Sequence, residues 1–209
     1  MTTPIIVFAK APRAGEVKTR LIPVLGAAGA ARLHERLVAR ALATAVAAGT
    51  GPVELCCAPD PSDTRLAALA RDHGAMLTGQ GPGDLGRRMS GAFERVLASK
   101  HAALLVGSDC PALALGHLRT AAAALAGGHD AVLGPAEDGG YVLVGLRRTH
   151  ASLFEGIRWG ESTVMAETRE RLAVLGWRWQ ELETLWDVDR PEDLARLRRV
   201  GIEPLGEGG

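Results

Sequence analysis

The sequence predicts an α/β fold, a three-layer sandwich with a mostly parallel sheet between helices. Three observations carry this. The apolar runs "PIIVFA", "VELCCA" and "AALLVG" read as short strands buried on both faces. Longer stretches with Leu, Val and Ala at helical spacing alternate with them. Chemically conspicuous residues gather just after the strands, where open parallel sheets bind ligands.

Taken in order, "PIIVFA" is the first strand, and Gly26 to Ala48 the first helix, with Leu33, Leu37, Leu42 and Val46 along it. "VELCCA" is the second strand. "PSDTRLAALARDHG" is a helix capped by Ser62 or Asp63 and closed by Gly74. "AMLTG" is a short third strand, "DLGRRMSGAFERVLAS" an amphipathic helix, "AALLVG" a strand, and "ALGHLRTAAAALAGG" a helix. In "DAVLGPAEDGGYVLVGL" two apolar runs flank an acidic, Gly-rich loop, which predicts a strand, an excursion and a strand of different direction. "GESTVMAETRERLAVLG" is helical, "WRWQEL" strand-like and "DRPEDLARLRRV" a closing helix, with "PLGEGG" expected to fray. No repeat or linker divides residues 1–209, so one domain is expected.

Composition narrows the function. Hydrophobic residues make up 47% of the 209, enough for a sizeable core. Formal net charge is zero, so no global field draws the chain to nucleic acid or membrane, and cationic loops are local devices. No apolar run approaches the ~20 residues of a membrane span, and the N-terminus lacks the pattern of a signal peptide. Three Cys, two of them adjacent, make a poor disulfide framework. A soluble, cytoplasmic protein is expected; the sequence leaves its oligomeric state open.

The loop "KAPRAGEVKTRL" after the first strand carries two Lys, two Arg and a Gly. It does not match G-x-x-x-x-G-K-[ST], since Gly15 falls two residues short of Lys18-Thr19 and no Gly precedes it in the loop; nor does it match G-x-G-x-x-G. A phosphate cradle here must be of another kind. Lys10, Arg13, Lys18 and Arg20 together suffice to neutralise a diphosphate or triphosphate, and Gly15 lets the backbone come close. Lys18 is the leading candidate for the terminal phosphate.

"FAKAPRAGEVKTRL", "QGPGDLG", "LLVGSDCPAL", "GPAEDGGYVLVGL" and "WDVDRPEDL", in that order, resemble the signatures of small bacterial GT-A-type nucleotide-diphospho-sugar transferases, among them glycosyltransferases linked to arsenosugar biosynthesis. The resemblance runs from about Ile5 to Leu197. More distantly the chain is similar to the molybdenum cofactor and 2-phospho-lactate guanylyltransferases. It departs from these in lacking their loop of paired Gly and Arg, which weighs against a triphosphate donor. The resemblance implies a GT-A-type sandwich, a nucleotide or nucleotide-sugar donor, a small-molecule acceptor and a divalent cation, Mg²⁺ or Mn²⁺. Nucleotidyl transfer and a nucleotide-binding module without turnover are the alternatives.

The resemblance also implies roles. Asp109, directly after "AALLVG", stands where GT-A enzymes hold the metal, and Asp187 where related nucleotidyltransferases place a second ligand. Each also has a structural reading, Asp109 as a cap with Ser108. Asp189, three residues before Glu192, reads as the cap of the closing helix. Gln80, Gly81 and Asp84 in "GQGPGDLG" offer groups to a nucleobase, although Asp84 equally fits an N-cap. Asp138 is the candidate catalytic carboxylate alongside Lys18, able to orient a sugar or act as general base. Gly139 and Gly140 permit close approach, Tyr141 offers a stacking ring, and Trp159 a wall of the acceptor pocket; a plain Asp-Gly turn is the alternative. Cys110 has no His in any marked loop to activate it and reads as packing. The six His show no ligand spacing, so zinc is not expected.

Overall fold

A computed structural model describes residues 2–202; the fraying expected at 204–209 lies outside them. The order is β1 (Ile5–Lys10), α1 (Ile22–Ala48), β2 (Val53–Ala58), α2 (Thr64–Asp72), β3 (Met76–Gly79), α3 (Leu85–Leu97) and β4 (Ala103–Gly107). There follow α4 (Leu115–Ala126), β5 (Ala131–Pro135), β6 (Tyr141–Leu146), α5 (Val164–Val174), β7 (Trp179–Glu181) and α6 (Leu194–Arg199). All seven strands form one sheet in the order β3-β2-β1-β4-β6-β5-β7. Only β6 is antiparallel to its neighbours, β4 and β5, so the change of direction expected at "EDGG" is present.

Alternation along β1 explains the layers. Ile5, Val7 and Ala9 join the core under α1, α2 and α4. Ile6 and Phe8 point the other way, to α3 and α5. A third cluster joins the start of α1 to Val188 and α6. Asp63 caps α2 by accepting from the N–H groups of Arg65 and Leu66.

Two expectations are corrected. The helix expected over 160–176 starts only at Val164, because Glu161 to Thr163 form a turn. Asp189 does not cap the closing helix. The Asp193 carboxylate reaches back to the N–H groups of Asp189 and Arg190 at 2.9 and 2.8 Å, and Pro191–Asp193 is a 3-10 turn before α6. The Asp189 side chain is thereby released to pair with Arg20.

The order β2-β1-β4 makes a topological switch between β1 and β4: the chain leaves β1 toward β2 on one side and leaves β4 toward β5 and β6 on the other. Crevices form at the carboxyl ends of strands at such points. Because β6 runs antiparallel, its first residue, Tyr141, lies on the same rim.

Candidate active site

β4 ends at Gly107, and Asp109 follows at the switch point. Lys18 comes from the loop after β1. Val17 and Leu21 are buried on either side of it, and its left-handed backbone (φ 49°) turns the side chain inward. Only 5% of that side chain is exposed. Its Nζ donates to the Val188 carbonyl at 2.6 Å and lies 2.8 Å from Asp109 Oδ2. The Val188 N–H in turn donates to the Asp109 carbonyl at 2.9 Å, so three separate loops are knotted here.

Sequence reasoning missed His34. It sits on α1, buried, with Nε2 donating to the Lys10 carbonyl at 3.0 Å and Nδ1 3.5 Å from Asp109 Oδ1. Nothing in the spacing of the chain's histidines signals this, because only the packing of α1 against β1 and β4 creates it. Burial by itself would raise the Asp109 carboxyl; the Lys18 ammonium, with His34, outweighs it and holds the group well below the usual carboxylate range. Asp109 is therefore ionised, and 46% of its side chain is open to the cleft.

That cleft, about 720 Å³, is lined by Lys10, Lys18, Arg20, Arg88, Gln80, Asp84, Asp109 and Asp189 among others. Arg88, also missed, is held by its Nε donating to the Gly83 carbonyl at 2.8 Å. Its signal was present in "DLGRRM", since the first turn of a helix after a Gly-rich loop projects into a rim site. Two expected residues line the cleft in a different role. The Gln80 amide donates to the carbonyls of Ala9 and Cys56 at 3.2 and 3.0 Å, pinning the ends of β1 and β2 and leaving no N–H for a base. Asp84 Oδ1 accepts from the Arg87 N–H at 2.8 Å and caps α3. Three others are not brought there. Arg13 turns to Glu16 and Asp63, 3.9 Å from each. Gly15 does not line the cleft, and Gly81 lines a separate groove along α3.

A second pocket of about 250 Å³ shares Phe8, Leu85 and Gly107 with the first. Asp138, Gly140, Tyr141, Trp159 and Asp187 line it. The Asp138 Oδ1 accepts from the Gly140 N–H at 2.8 Å, so the Asp-Gly turn and the pocket are one feature. Gly139 (φ 88°) lies against the Ser162 backbone. The Tyr141 side chain forms part of the wall of this pocket. Its ring meets Trp159 edge-on at 6.2 Å between centroids, and burial pushes its phenol up. Cys110 packs as expected, its thiol pushed up to about 11 by burial.

Asp187 lies between these features. Burial first, then the Asp138 carboxylate and more weakly Asp109, push its carboxyl up to about 6. Such a group stabilises the fold fully below its unfolded value of 3.8, and that contribution is lost as pH rises through about 6. Asp187→Asn is therefore expected to raise the Tm above pH 6 by roughly 2–4 °C, about 1 kcal/mol after allowance for solvent screening. Near pH 4 little change is expected. Calorimetry at both pH values checks this, and equal shifts would detach Asp187 from the other carboxylates. No group of three or more His, Cys, Asp or Glu among the described residues is arranged to hold a metal. Two carboxylates do suit a hard cation that takes its remaining ligands from water and phosphate.

Comparison with known proteins bears on the family and the fold. A family model described as "Uncharacterized protein conserved in bacteria (DUF2064)" matches residues 41–161. No curated protein matches the chain. A structure from Desulfovibrio desulfuricans, described as a "putative nucleotide-diphospho-sugar transferase", is 32% identical with a TM-score of 0.82, over 91% of this chain and 84% of that one. The inositol-1-phosphate CTP transferase of T. maritima has a TM-score of 0.63 at 14% identity, over 95% of this chain and 94% of that one. Glucosyl-3-phosphoglycerate synthase of Mycobacterium tuberculosis, solved with Mn²⁺ and UDP, has 0.56 at 12%, over 96% and 80%. The last two likenesses establish the fold alone, that of the nucleotide-diphospho-sugar transferases expected from the sequence. The family model, which spans over half of the chain, and the Desulfovibrio relative place the protein in the DUF2064 family.

Proposed function

We propose that the chain is a transferase that moves a glycosyl group from a nucleotide-diphospho-sugar to a small-molecule acceptor, with a divalent cation. The observation that carries this reading is where the cations lie. Lys10, Arg20 and Arg88 line the larger cleft among Glu16, Asp84, Asp109 and Asp189, while the charged residues lining the adjoining smaller pocket, Asp138, Glu161 and Asp187, are all acidic.

In this reading a diphosphate lies in the larger cleft, where Lys10, Arg20 and Arg88 offset its charge. Asp109 and Asp187 would hold the cation, whose chemistry is to neutralise charge on the departing diphosphate. Lys18 is a positioning group: it holds Asp109 through the ion pair and the Val188 loop through its hydrogen bond. The acceptor oxygen forms a bond to the anomeric carbon. The bond from that carbon to the diphosphate oxygen breaks, and its electron pair leaves on the nucleoside diphosphate. The hydroxyl proton passes to Asp138 as general base.

The test is a thermal-shift panel of nucleoside mono-, di- and triphosphates and nucleotide sugars, with and without Mg²⁺ or Mn²⁺. A ligand at a hundred times its Kd that binds only the folded state adds about 2.7 kcal/mol of stability. Cation-dependent stabilisation by one diphosphate and its sugar conjugate is expected. Preference for a triphosphate would favour nucleotidyl transfer, and silence across the panel would overturn nucleotide binding altogether.

A further inference from the structure

The second pocket also restricts what enters it. Its body is apolar: Phe8, Met89, Leu105, Val142 and Val144 line it with the rings of Tyr141 and Trp159. Its charged lining residues are Asp138, Glu161 and Asp187, with no Lys or Arg among them. Backbone donors do not substitute for a cation. The N–H groups of Ala136 and Gly139 are used within the turn, donating to the Gly140 and Ala136 carbonyls, and Glu137 N–H donates to Leu185. Gly140 N–H is held by Asp138. At the start of α5, Val164 and Met165 N–H donate to the carbonyls of Glu161 and Gly139. Glu161 is paired with Arg158 at 3.4 Å and Asp187 would be shared with the cation, but an anion in this pocket would still lose water, face the Asp138 carboxylate and find these donors already engaged.

Resting on the transferase reading above, we propose that this pocket takes an uncharged, single-ring compound with an apolar face and a hydroxyl presented to Asp138, and rejects phosphorylated compounds. The volume, about 250 Å³, lies below the usual range for drug-sized ligands and suits one ring. Apolar walls bury one face of that ring, while the carboxylates accept from its hydroxyls. The consequence bears on the reaction. Nucleotidyl transfer onto a phosphorylated acceptor needs an anion in this position, whereas glycosyl transfer to an alcohol does not.

The test uses the full chain carrying ¹³C-methyl methionine, with Met89 as reporter of this pocket. Benzyl alcohol and benzyl phosphate, which differ in the head group, are titrated to millimolar concentration, each in the presence of excess UDP so that the larger cleft is occupied. A Met89 shift with the alcohol and none with the phosphate is expected. In Asp138→Asn/Asp187→Asn the phosphate is expected to gain at least tenfold in affinity relative to the alcohol. Entry of benzyl phosphate into the wild-type pocket as readily as the alcohol, or of neither, overturns the proposal. Nucleotide binding is read separately, from the thermal panel. Binding there with phosphate entry here sinks this inference and spares the transferase reading. A silent panel with selective alcohol entry does the reverse.

Discussion

Asp109→Ala is expected to abolish cation-dependent stabilisation by nucleotides and to lower transfer by about 10²–10³-fold, the loss typical of removing a preorganised charge contact at a reacting centre. The residue holds three roles that fail together. It is the ionised carboxylate at the switch point, it neutralises a Lys18 ammonium that is only 5% exposed, and it faces the buried His34. Its removal leaves Lys18 with the Val188 carbonyl as its hydrogen-bond acceptor. Breaking a fully buried pair costs about 3–5 kcal/mol. Asp109 is half open to the cleft, so water reaches the vacated position and about 2 kcal/mol is the reasonable figure. A stability loss could by itself mimic a functional one, so a double variant separates them. Lys18→Met in the Asp109→Ala background removes the stranded ammonium and is expected to recover much of the Tm, while nucleotide and cation binding stay lost. Recovery of both would show that Asp109 serves the fold and not the ligand.

How much was legible beforehand follows the range of the interactions. The strands and helices were readable because period-2 and period-3.6 burial is local, as in "PIIVFA" and "DLGRRMSGAF". Asp109, Asp138 and Asp187 were readable as rim residues because strand ends come together at one edge. The partnership of Lys18 with Asp109 was not, since it joins residues far apart in sequence and depends on a left-handed backbone at position 18. Lys18 was read as a phosphate cation; the fold uses it to hold a carboxylate. His34 was invisible for the same reason. Asp189 was misread because a local capping pattern was assigned to the first acid, when the side chain that reaches back is Asp193. Gln80 looked available to a nucleobase only because the two carbonyls it bridges come from other strands.

Gly139→Ala is expected to reduce transfer by at least about 10²-fold while leaving nucleotide binding in the larger cleft intact. Two effects add at this residue. Its φ of 88° is strained for any side chain, costing about 1–2 kcal/mol. A Cβ there would also lie 2.2 Å from the Ser162 carbonyl oxygen and 2.7 Å from its Cα, both backbone atoms that a rotamer change cannot move. The turn must therefore shift away from the segment that carries Trp159 and Glu161 and leads into α5, breaking the 2.8 Å bond from Met165 N–H to the Gly139 carbonyl. Asp138 moves with the turn, and a displacement of about 1 Å at a reacting group is enough for a loss on the order of 10²-fold. Gly15→Ala isolates the conformational part. Its φ is 86°, but nothing lies within 4 Å of the added methyl group, so about 1 kcal/mol of stability and no loss of transfer are expected. Transfer rates and nucleotide-dependent Tm shifts on the two variants decide the matter. Loss of both functions in Gly139→Ala would mean that the turn supports the whole rim and that the two pockets do not act separately. Loss of transfer alone places the acceptor chemistry on the Asp138 side of the site.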